Sequence, residues 1–425
     1  MISYKVNTYL SYIVISIPIL LITGPFLPDL ALSLSGLIFF YFLLTNKKIN
    51  TFNNLFSKLF LFFTLILIIN SIYSGNEKSI ISSLGYIRFL LFIFLVVYIL
   101  KHQAIDLKLN LFYSMLFCTL FLLLEFFSQA IFGITLLGRP VNNPTRLVLS
   151  SFYHEEILSS YLVRFYPLLI GLYFICKKKL NLFFKLSFFL LSFSVIFVVI
   201  YNGERTSLGL LCLSLFLMII FSKQKYITKI IIFASITILT ITLLLNLPNF
   251  SIDRKLSGFQ SIKNTIVNVK KNTEKSKIVI ISDKYNSMYR TSYNIYKENK
   301  LFGVGIKNFR VVCGEEKYAF NKRSCSTHPH NLFLQIMAET GLVGIFYYFL
   351  IIFSIIFFFI KNLVNKKIDD DKKNYLTCLF ITIFISVFPF FPSGNFFNNW
   401  LSIFIFFPVG FLLKEILTND YNKIA

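Results

Sequence analysis

Charged residues are scarce in this sequence: they make up 14% of its 425 positions, against roughly a quarter in an ordinary soluble protein. The chain also lacks the polar composition of a disordered protein, because 56% of its residues are hydrophobic and 53 are phenylalanine. Short alternating segments typical of a membrane β-barrel are not seen either. The apolar runs are long and continuous, so the composition predicts an all-α polytopic membrane protein.

Twelve apolar runs are long enough, within a few residues, to cross a bilayer, which takes about 20 residues. They lie near 9–24, 28–45, 57–73, 80–100, 109–132, 156–175, 181–200, 206–222, 227–247, 332–360, 375–391 and 397–414. The first run follows Lys5 without a small-residue cleavage site, so we expect an uncleaved span rather than a signal peptide.

Lysines in the short connectors predict the orientation, because cytoplasmic loops are enriched in Lys and Arg. With the N-terminus inside, the lysine-rich connectors all face the cytoplasm, at 46–56, 101–108, 176–180, 223–226 and 361–374. The short connectors on the other side hold few cations. Both termini are therefore expected in the cytoplasm.

The one long hydrophilic stretch, 248–331, is then external and divides the chain. Spans 1 to 9 occupy 1–247, a helical loop domain follows, and spans 10 to 12 with the C-terminus occupy 332–425. The loop has 16 Lys or Arg against 6 Asp or Glu. Long loops cross a membrane largely regardless of charge, so this excess favours an anionic ligand or lipid surface. The net charge of +23 therefore predicts membrane lipids, and not nucleic acid, as partners.

The six cysteines divide by location. Cys313 and Cys325 both lie in the external loop, where an oxidising compartment favours a disulfide between them. A metal site is the weaker alternative, because no CxxC spacing is present. The other four cysteines lie in or at the edges of apolar runs and are interpreted as packing residues.

The external loop ends in Thr327-His328-Pro329-His330-Asn331, directly before an apolar run. One interpretation is a polar helix start, with Asn331 or Thr327 as the cap and Pro329 fixing the turn. The other relies on the positive helix N-terminus, which attracts anions and keeps a nearby imidazole neutral. In that interpretation His330 is a general base beside an anion site, and His328 and Asn331 line the same pocket.

Glu339 lies eight positions after Asn331, on roughly the same helix face and inside an apolar run. Such a carboxylate is either functional or paired with a cation from another span, and the sequence leaves both open. Gly341 and Gly344 follow, and we expect them to let another helix approach closely. The Gly-Val-Gly element at 303–305 is expected to form a tight turn.

Arginines at three external positions are suited to phosphate oxygens. Arg205 lies at the start of a predicted helix, where it either binds an anion or snorkels and pairs with Glu204. Arg290 lies in the loop domain. Arg146 precedes a Phe-Tyr-His-Glu-Glu run that contains Glu155, and these two either line the same pocket or belong to an ordinary surface loop.

Several nucleotide and metal signals are missing. The sequence has no Walker A loop, no external Asp-x-Asp pair for a metal-bound nucleotide-sugar, and no third ligand in view beside His328 and His330. The sequence therefore predicts neither a metal nor a cofactor.

The spacing His330-Asn331, nine residues, Gly341, two residues, Gly344 is that of a signature of bacterial O-antigen ligases. The chain as a whole resembles the O-antigen ligase and polymerase superfamily. The shared features are about twelve spans, one large periplasmic loop between spans nine and ten, Gly-Glu-Arg-Thr-Ser at 203–207, and an Arg followed by Gly-Val-Gly in the loop.

The resemblance implies a metal-independent, inverting glycosyltransferase at the periplasmic face of the bacterial inner membrane. Such enzymes take a glycan from undecaprenyl diphosphate and move it to a sugar hydroxyl. The acceptor is lipid A–core in a ligase, and another carrier-linked repeat in a polymerase. Carried over, Arg205 and Arg290 bind the diphosphate and His330 activates the acceptor hydroxyl.

Three functions stay open at this point. The His-Asn spacing favours a ligase, whereas the stretch 146–161 is more typical of polymerase-like members. A lipid-linked oligosaccharide flippase also has about twelve spans, but it predicts two repeated halves and no large external domain. The sequence shows no such repeat, and its long loop lies at three quarters of the chain.

Overall fold

The computed structural model describes residues 4–102, 104–140, 157–202, 204–224 and 283–421. Over these residues the chain is helical, and its one pairing of extended backbone is an isolated bridge between Ile134 and Pro140. The predicted all-α class is therefore confirmed for the described part of the chain.

The helices in chain order are α1 (Tyr4–Thr23), α2 (Phe26–Thr45), α3 (Leu55–Tyr73), α4 (Glu77–Leu84), α5 (Ile87–His102), α6 (Leu107–Phe127), α7 (Leu158–Cys176), α8 (Leu182–Asn202), α9 (Arg205–Phe221), α10 (Asp283–Glu298), α11 (Phe309–Val312), α12 (Leu332–Val364), α13 (Asp370–Ser386) and α14 (Asn399–Tyr421). A 3-10 turn, Ile49–Phe52, precedes α3, and a π turn, Ser128–Phe132, extends α6.

Nine helices within the described residues are long and apolar enough to cross a membrane. They are α1, α2, α3, α4 joined with α5, α6 with its π turn, α7, α8, α12 and the first 19 residues of α14. The apolar α9 is shorter, at 17 residues. Eleven of the twelve predicted runs fall on these helices or on α13, while the run 227–247 lies outside the described residues. The total of twelve spans stays a prediction.

The predicted run 375–391 is too long at its C-terminal end. The helix α13 ends at Ser386, and residues 387–398 form an irregular connection, the α13–α14 loop. Pro389 and Pro392 lie in it, and a proline has no backbone N–H to continue a helix. This loop contributes to the candidate site.

Helix α5 lies at the centre of the bundle. Every residue from Phe89 to Leu100 is buried, which is the pattern of a helix that is apolar all round and surrounded by others. It packs against α2 and α14, while α7 packs against α13. Close approach explains the second pair, because a Cβ on Gly171 would lie 2.8 Å from the Cβ of Cys378.

One ion pair at the start of α5 joins three helices. The Nε atom of Arg88 donates to Oδ1 of Asp29 over 2.9 Å, and its Nη2 atom donates to Oδ1 of Asn399 over 2.9 Å. The Asn399 amide in turn donates to the other oxygen of Asp29 over 2.8 Å. The pair is only about one fifth exposed, so both charges need these extra hydrogen bonds.

Candidate functional site

A break in helix α12 provides the frame of the site. Gly341 has φ 62° and ψ −155°, so the helical hydrogen bonds are interrupted there. Hydrogen bonds to the segment 300–305 take the place of the missing helical ones. Val304 and Gly305 donate their N–H groups to the carbonyls of Ala338 and Glu339, over 3.1 and 2.9 Å. After the break, Leu342 and Val343 donate their N–H groups to the carbonyls of residues 300 and 301 over 2.8 and 3.2 Å.

Two glycines make this contact sterically feasible. Gly303 has φ 70°, and a Cβ on it would lie 2.4 Å from the carbonyl carbon of Glu339. A Cβ on Gly341 would lie 2.5 Å from the carbonyl of Leu301. The 303–305 element is thus a turn, as predicted. Gly341 was expected only to let another helix approach closely. It also interrupts its own helix, and the segment 300–305 packs against it there.

Glu339 is fully buried and holds the surrounding backbone together. Its Oε1 atom accepts from the N–H of Phe309 over 3.2 Å. Its Oε2 atom accepts from the amide of Gln335 over 3.0 Å. No lysine or arginine among the described residues pairs with it, so the structure offers a hydrogen-bonded carboxylate in place of the alternative ion pair.

Gln335 extends this network to the α13–α14 loop. Its Nε2 atom donates to Oδ1 of Asn395 over 2.8 Å, and its Oε1 atom accepts from the N–H of Phe396 over 2.9 Å. All polar atoms of the Gln335 side chain therefore bind neighbours within the protein. The network orders the loop on which the two histidines depend.

Both ring nitrogens of His328 have hydrogen-bond partners, and one of these partners lies in the α13–α14 loop. Its Nε2 atom lies 3.2 Å from the carbonyl oxygen of Ser393, and its Nδ1 atom lies 3.0 Å from the hydroxyl of Thr327. A carbonyl can only accept, so Nε2 carries the proton and Nδ1 accepts from Thr327. With 8% of its surface exposed, His328 has a positioning role in this arrangement.

His330 is placed differently. It adopts the left-handed conformation, φ 56°, and its carbonyl accepts from the N–H of Ser393 over 3.0 Å. Its Nε2 atom lies 3.2 Å from the hydroxyl of Ser326, whereas its Nδ1 atom has no hydrogen bond to any described residue. The ring meets Tyr285 of α10 edge-on, with centroids 5.5 Å apart, and stands 4.2 Å from the ring of His328. One imidazole nitrogen is thus unoccupied by any residue that the structure describes.

Both imidazoles are held in the neutral form. Burial lowers the pKa of His328 to about 4, and the neighbouring His330 ring opposes a positive charge there as well. Burial also lowers the pKa of His330 below its ordinary value of 6.5, and the positive charge of Lys284 acts in the same direction. A neutral imidazole with a free nitrogen can accept a proton at neutral pH.

Asn331 is the N-cap of α12, as one interpretation of the sequence predicts. Its Oδ1 atom accepts from the N–H of Leu334 over 2.9 Å, and its amide donates to the carbonyl of Pro389 over 2.7 Å. Since His330 precedes this cap directly, the positive end of α12 lies beside the imidazole.

The α13–α14 loop is the part of the site that the sequence did not predict. It supplies the carbonyls and amides that hold His328, His330 and Asn331. A cluster of Pro389, Pro392, Gly394 and Asn395 between two apolar runs is a usual loop signal, and it was available in the sequence. What the sequence does not reveal is which other loop this one contacts.

Arg205 is the first residue of α9 and is exposed. Gly209 lies one turn further on the same face, and a Cβ there would lie 2.9 Å from the ring of Phe391 in the α13–α14 loop. Arg205 is therefore on the side of α9 that faces the loop holding His330. Glu204 accepts from the hydroxyl of Ser207 over 2.7 Å.

Arg290 lies on α10, the helix that also carries Tyr285. It is exposed, and its guanidinium carbon stands 4.6 Å from the ring centroid of Phe320, which holds the side chain by a cation–π contact. No hydrogen bond joins Arg290 to His330 within the described residues. Arg146 and Glu155 lie outside the described residues.

Cys313 and Cys325 form a disulfide, with Cα atoms 5.1 Å apart. The bond links the end of α11 to the residue before Ser326, whose hydroxyl contacts His330. The disulfide therefore limits the movement of the segment that bears both histidines. Among the described residues, no three His, Cys, Asp or Glu side chains gather as metal ligands.

The geometry describes a helical membrane protein with a neutral histidine at a helix N-terminus, supported by a buried polar network. A family model described as O-antigen ligase matches residues 188–349, which include Arg205, Arg290, the 303–305 turn and His330. The match confirms the resemblance to the O-antigen ligase and polymerase superfamily. Together with the nine described helices that are apolar enough to cross a membrane, the match favours a membrane protein similar to O-antigen ligases. No curated protein matches the chain.

Proposed function

We propose that this protein transfers a glycan from undecaprenyl diphosphate to a sugar hydroxyl at the periplasmic face of the bacterial inner membrane, without a metal. The observation that carries the proposal is His330. This residue has a lowered pKa, has one ring nitrogen that no described residue binds, and lies at the N-terminus of α12 within the matched region. An acceptor hydroxyl needs a base of this kind and a place for an anionic leaving group beside it.

In the proposed reaction the acceptor oxygen attacks the anomeric carbon of the donor. Its proton passes to Nδ1 of His330, while the bond between the anomeric carbon and the diphosphate oxygen breaks and the electron pair stays with the diphosphate. Direct displacement inverts the anomeric centre. The hydrogen bond between Nε2 and the Ser326 hydroxyl keeps the ring oriented during the transfer.

The diphosphate carries its full charge as it leaves, so cations are needed on its side of the sugar. We assign that role to Arg205 and Arg290, because both residues are exposed. The helix of Arg290 contacts His330 through Tyr285, and the helix of Arg205 packs against the α13–α14 loop that holds His330. A guanidinium group binds phosphate oxygens in a two-pronged geometry. Preorganised positive charge at the leaving group is typically a large contribution to rate.

The membrane arrangement belongs to the same proposal. Twelve spans with both termini in the cytoplasm place residues 248–331 and the start of α12 outside, where the lipid-linked donor is presented. Exposed aromatic side chains on the apolar helices, such as Phe62 and Phe353, provide surface for membrane lipids and the polyprenyl tail. Lipid A–core in a ligase, or a growing glycan in a polymerase, approaches from the aqueous side.

The test is a set of single variants in the native host with lipopolysaccharide banding as the readout. We expect His330→Ala, Arg205→Ala and Arg290→Ala to lose the modified bands. His102→Ala is the matched control, because this histidine lies at the end of α5 and is exposed. Core without O-antigen together with accumulated carrier-linked polymer indicates a ligase, and core bearing a single repeat indicates a polymerase. Normal banding in all three variants would refute the enzymatic proposal.

A flippase is separated by a second measurement on the purified protein. Donor and acceptor are mixed with the protein in detergent, where no membrane sides exist and transport leaves no product. Glycan transfer under these conditions, lost in His330→Ala and kept in His102→Ala, supports the transferase. Absence of transfer by an otherwise folded wild-type protein would favour transport.

A further inference from the structure

Lys307 stands out among the described residues for its backbone and its surroundings. It has φ 57°, a left-handed conformation that side-chain-bearing residues rarely adopt. Its side chain is partly buried, yet it makes no ion pair and no hydrogen bond with any described residue. A lysine held in this way can offer its charge to an anionic group.

The segment around Lys307 is fixed on both sides. On one side, the amide of Asn76 donates to the side chain of Asn308 over 3.0 Å, and Gly305 packs so closely on α3 that a Cβ would lie 2.7 Å from the hydroxyl of Ser74. On the other side, Glu339 accepts from the backbone of Phe309 over 3.2 Å. The unusual conformation is therefore imposed by a well-supported loop.

Positive charge gathers around the Lys307 side chain. Burial lowers the pKa of its ammonium group, and the positive charges of Arg88 and Arg310 lower it further, while Glu339 and Asp29 oppose them. Arg88 is already engaged by Asp29 and Asn399, whereas Arg310 is exposed. Lys307 is thus a cation without an ion-pair partner among the described residues, and it lies next to two other cations.

This cluster is close to the histidines. The charge of Arg310 acts on His328 as well as on Lys307. Glu339 also joins the two regions, since it accepts from the backbone N–H of Phe309 and, through Gln335, connects to the loop that contacts the histidines. The segment that bears Lys307 is thus connected by hydrogen bonds to the loop that holds the histidines.

We propose that Lys307 and Arg310, with the field of Arg88 behind them, form an oxyanion subsite for a phosphate or carboxylate group of a glycolipid substrate. The inference rests on the proposed glycan transfer for its biological meaning, but its binding chemistry can be tested alone. The donor diphosphate and an anionic group on the acceptor are the two sources of such an oxyanion.

The informative variant is Lys307→Gly, because glycine adopts φ 57° without strain while removing the charge. Its thermal unfolding temperature should equal or exceed that of the wild type. Lys47→Gly is the matched control: Lys47 has φ 51°, is exposed, and lies in the connector after α2. Arg310→Gln removes the second charge from an exposed position.

Binding of inorganic pyrophosphate to the purified full-length protein is measured by calorimetry. Loss of one charge-assisted contact should weaken binding about tenfold in Lys307→Gly and in Arg310→Gln, and leave Lys47→Gly unchanged. Equal affinity in the wild type and in Lys307→Gly, or no measurable binding to the wild type, would overturn the subsite. This readout does not depend on transfer, so it is separate from a failure of the proposed function.

Steady-state transfer then identifies the source of the oxyanion. A raised KM for the polyprenyl-diphosphate donor in Lys307→Gly assigns the subsite to the diphosphate, and a raised KM for the acceptor assigns it to an anionic group there. Both outcomes support the subsite. Unchanged KM values for both substrates would contradict its use in the reaction.

Discussion

The contact between the 303–305 turn and the break in α12 leads to a quantitative prediction. In Gly303→Ala the new methyl group would lie 2.4 Å from the backbone of Glu339, at a residue with φ 70°. The left-handed conformation costs about 1–2 kcal/mol for a residue with a Cβ. Overpacking against rigid backbone adds about 1–3 kcal/mol. We therefore expect a loss of about 2–5 kcal/mol in the free energy of unfolding.

Two glycines of the same chain separate these contributions. Gly75 has φ 67°, but a methyl group added to it would meet nothing within 4 Å, so Gly75→Ala should lose only about 1–2 kcal/mol. Gly314 has an ordinary φ and 3.5 Å to its nearest neighbour, so Gly314→Ala should change little. Unfolding is followed in detergent by heat or by denaturant titration. Equal losses in Gly303→Ala and Gly75→Ala would refute the close-contact argument.

Three further predictions concern the site. Because His330 acts neutral and its pKa is lowered, kcat/KM should fall only as pH drops below 6.5, and a midpoint above that value in the pH–rate profile would contradict the assignment. Cys313→Ser and Cys325→Ser should each lose about 3 kcal/mol for a bond spanning 12 residues, and reductant should abolish the difference in melting temperature from the wild type. Glu339→Gln should cost about 1–3 kcal/mol in unfolding experiments, since its new amide N–H group would face a donor such as the N–H of Phe309.

Most of the helices could be predicted from the sequence, since a span needs only a sufficient length of apolar residues. The runs on α2 and α3 agree with the structure to within two residues, whereas α1 begins five residues before its predicted run and α14 ends seven residues after its predicted run. The error at 375–391 arose because Phe388, Phe390 and Phe391 are as apolar as a span, whereas the prolines beside them end the helix.

The parts of the site that are close together in the sequence were also predictable. His330, Asn331 and the two cysteines are close in sequence, and local patterns describe helix caps and short disulfide loops well. The partnership of Gly303 with Gly341 and of His330 with Ser393 joins distant segments, and one sequence carries no record of which segments meet. Asn331 was predicted as a cap and is one, while Arg205 and Arg290 in the diphosphate role stay predictions.

The α13–α14 loop has a consequence for any exchange of parts between related enzymes. The region that the family model matches ends at residue 349, yet His330 and His328 are held by Ser393, beyond that limit. A chimera that exchanges only the matched region would join histidines from one parent to a supporting loop from another. Grafts between related proteins should therefore move the two segments together.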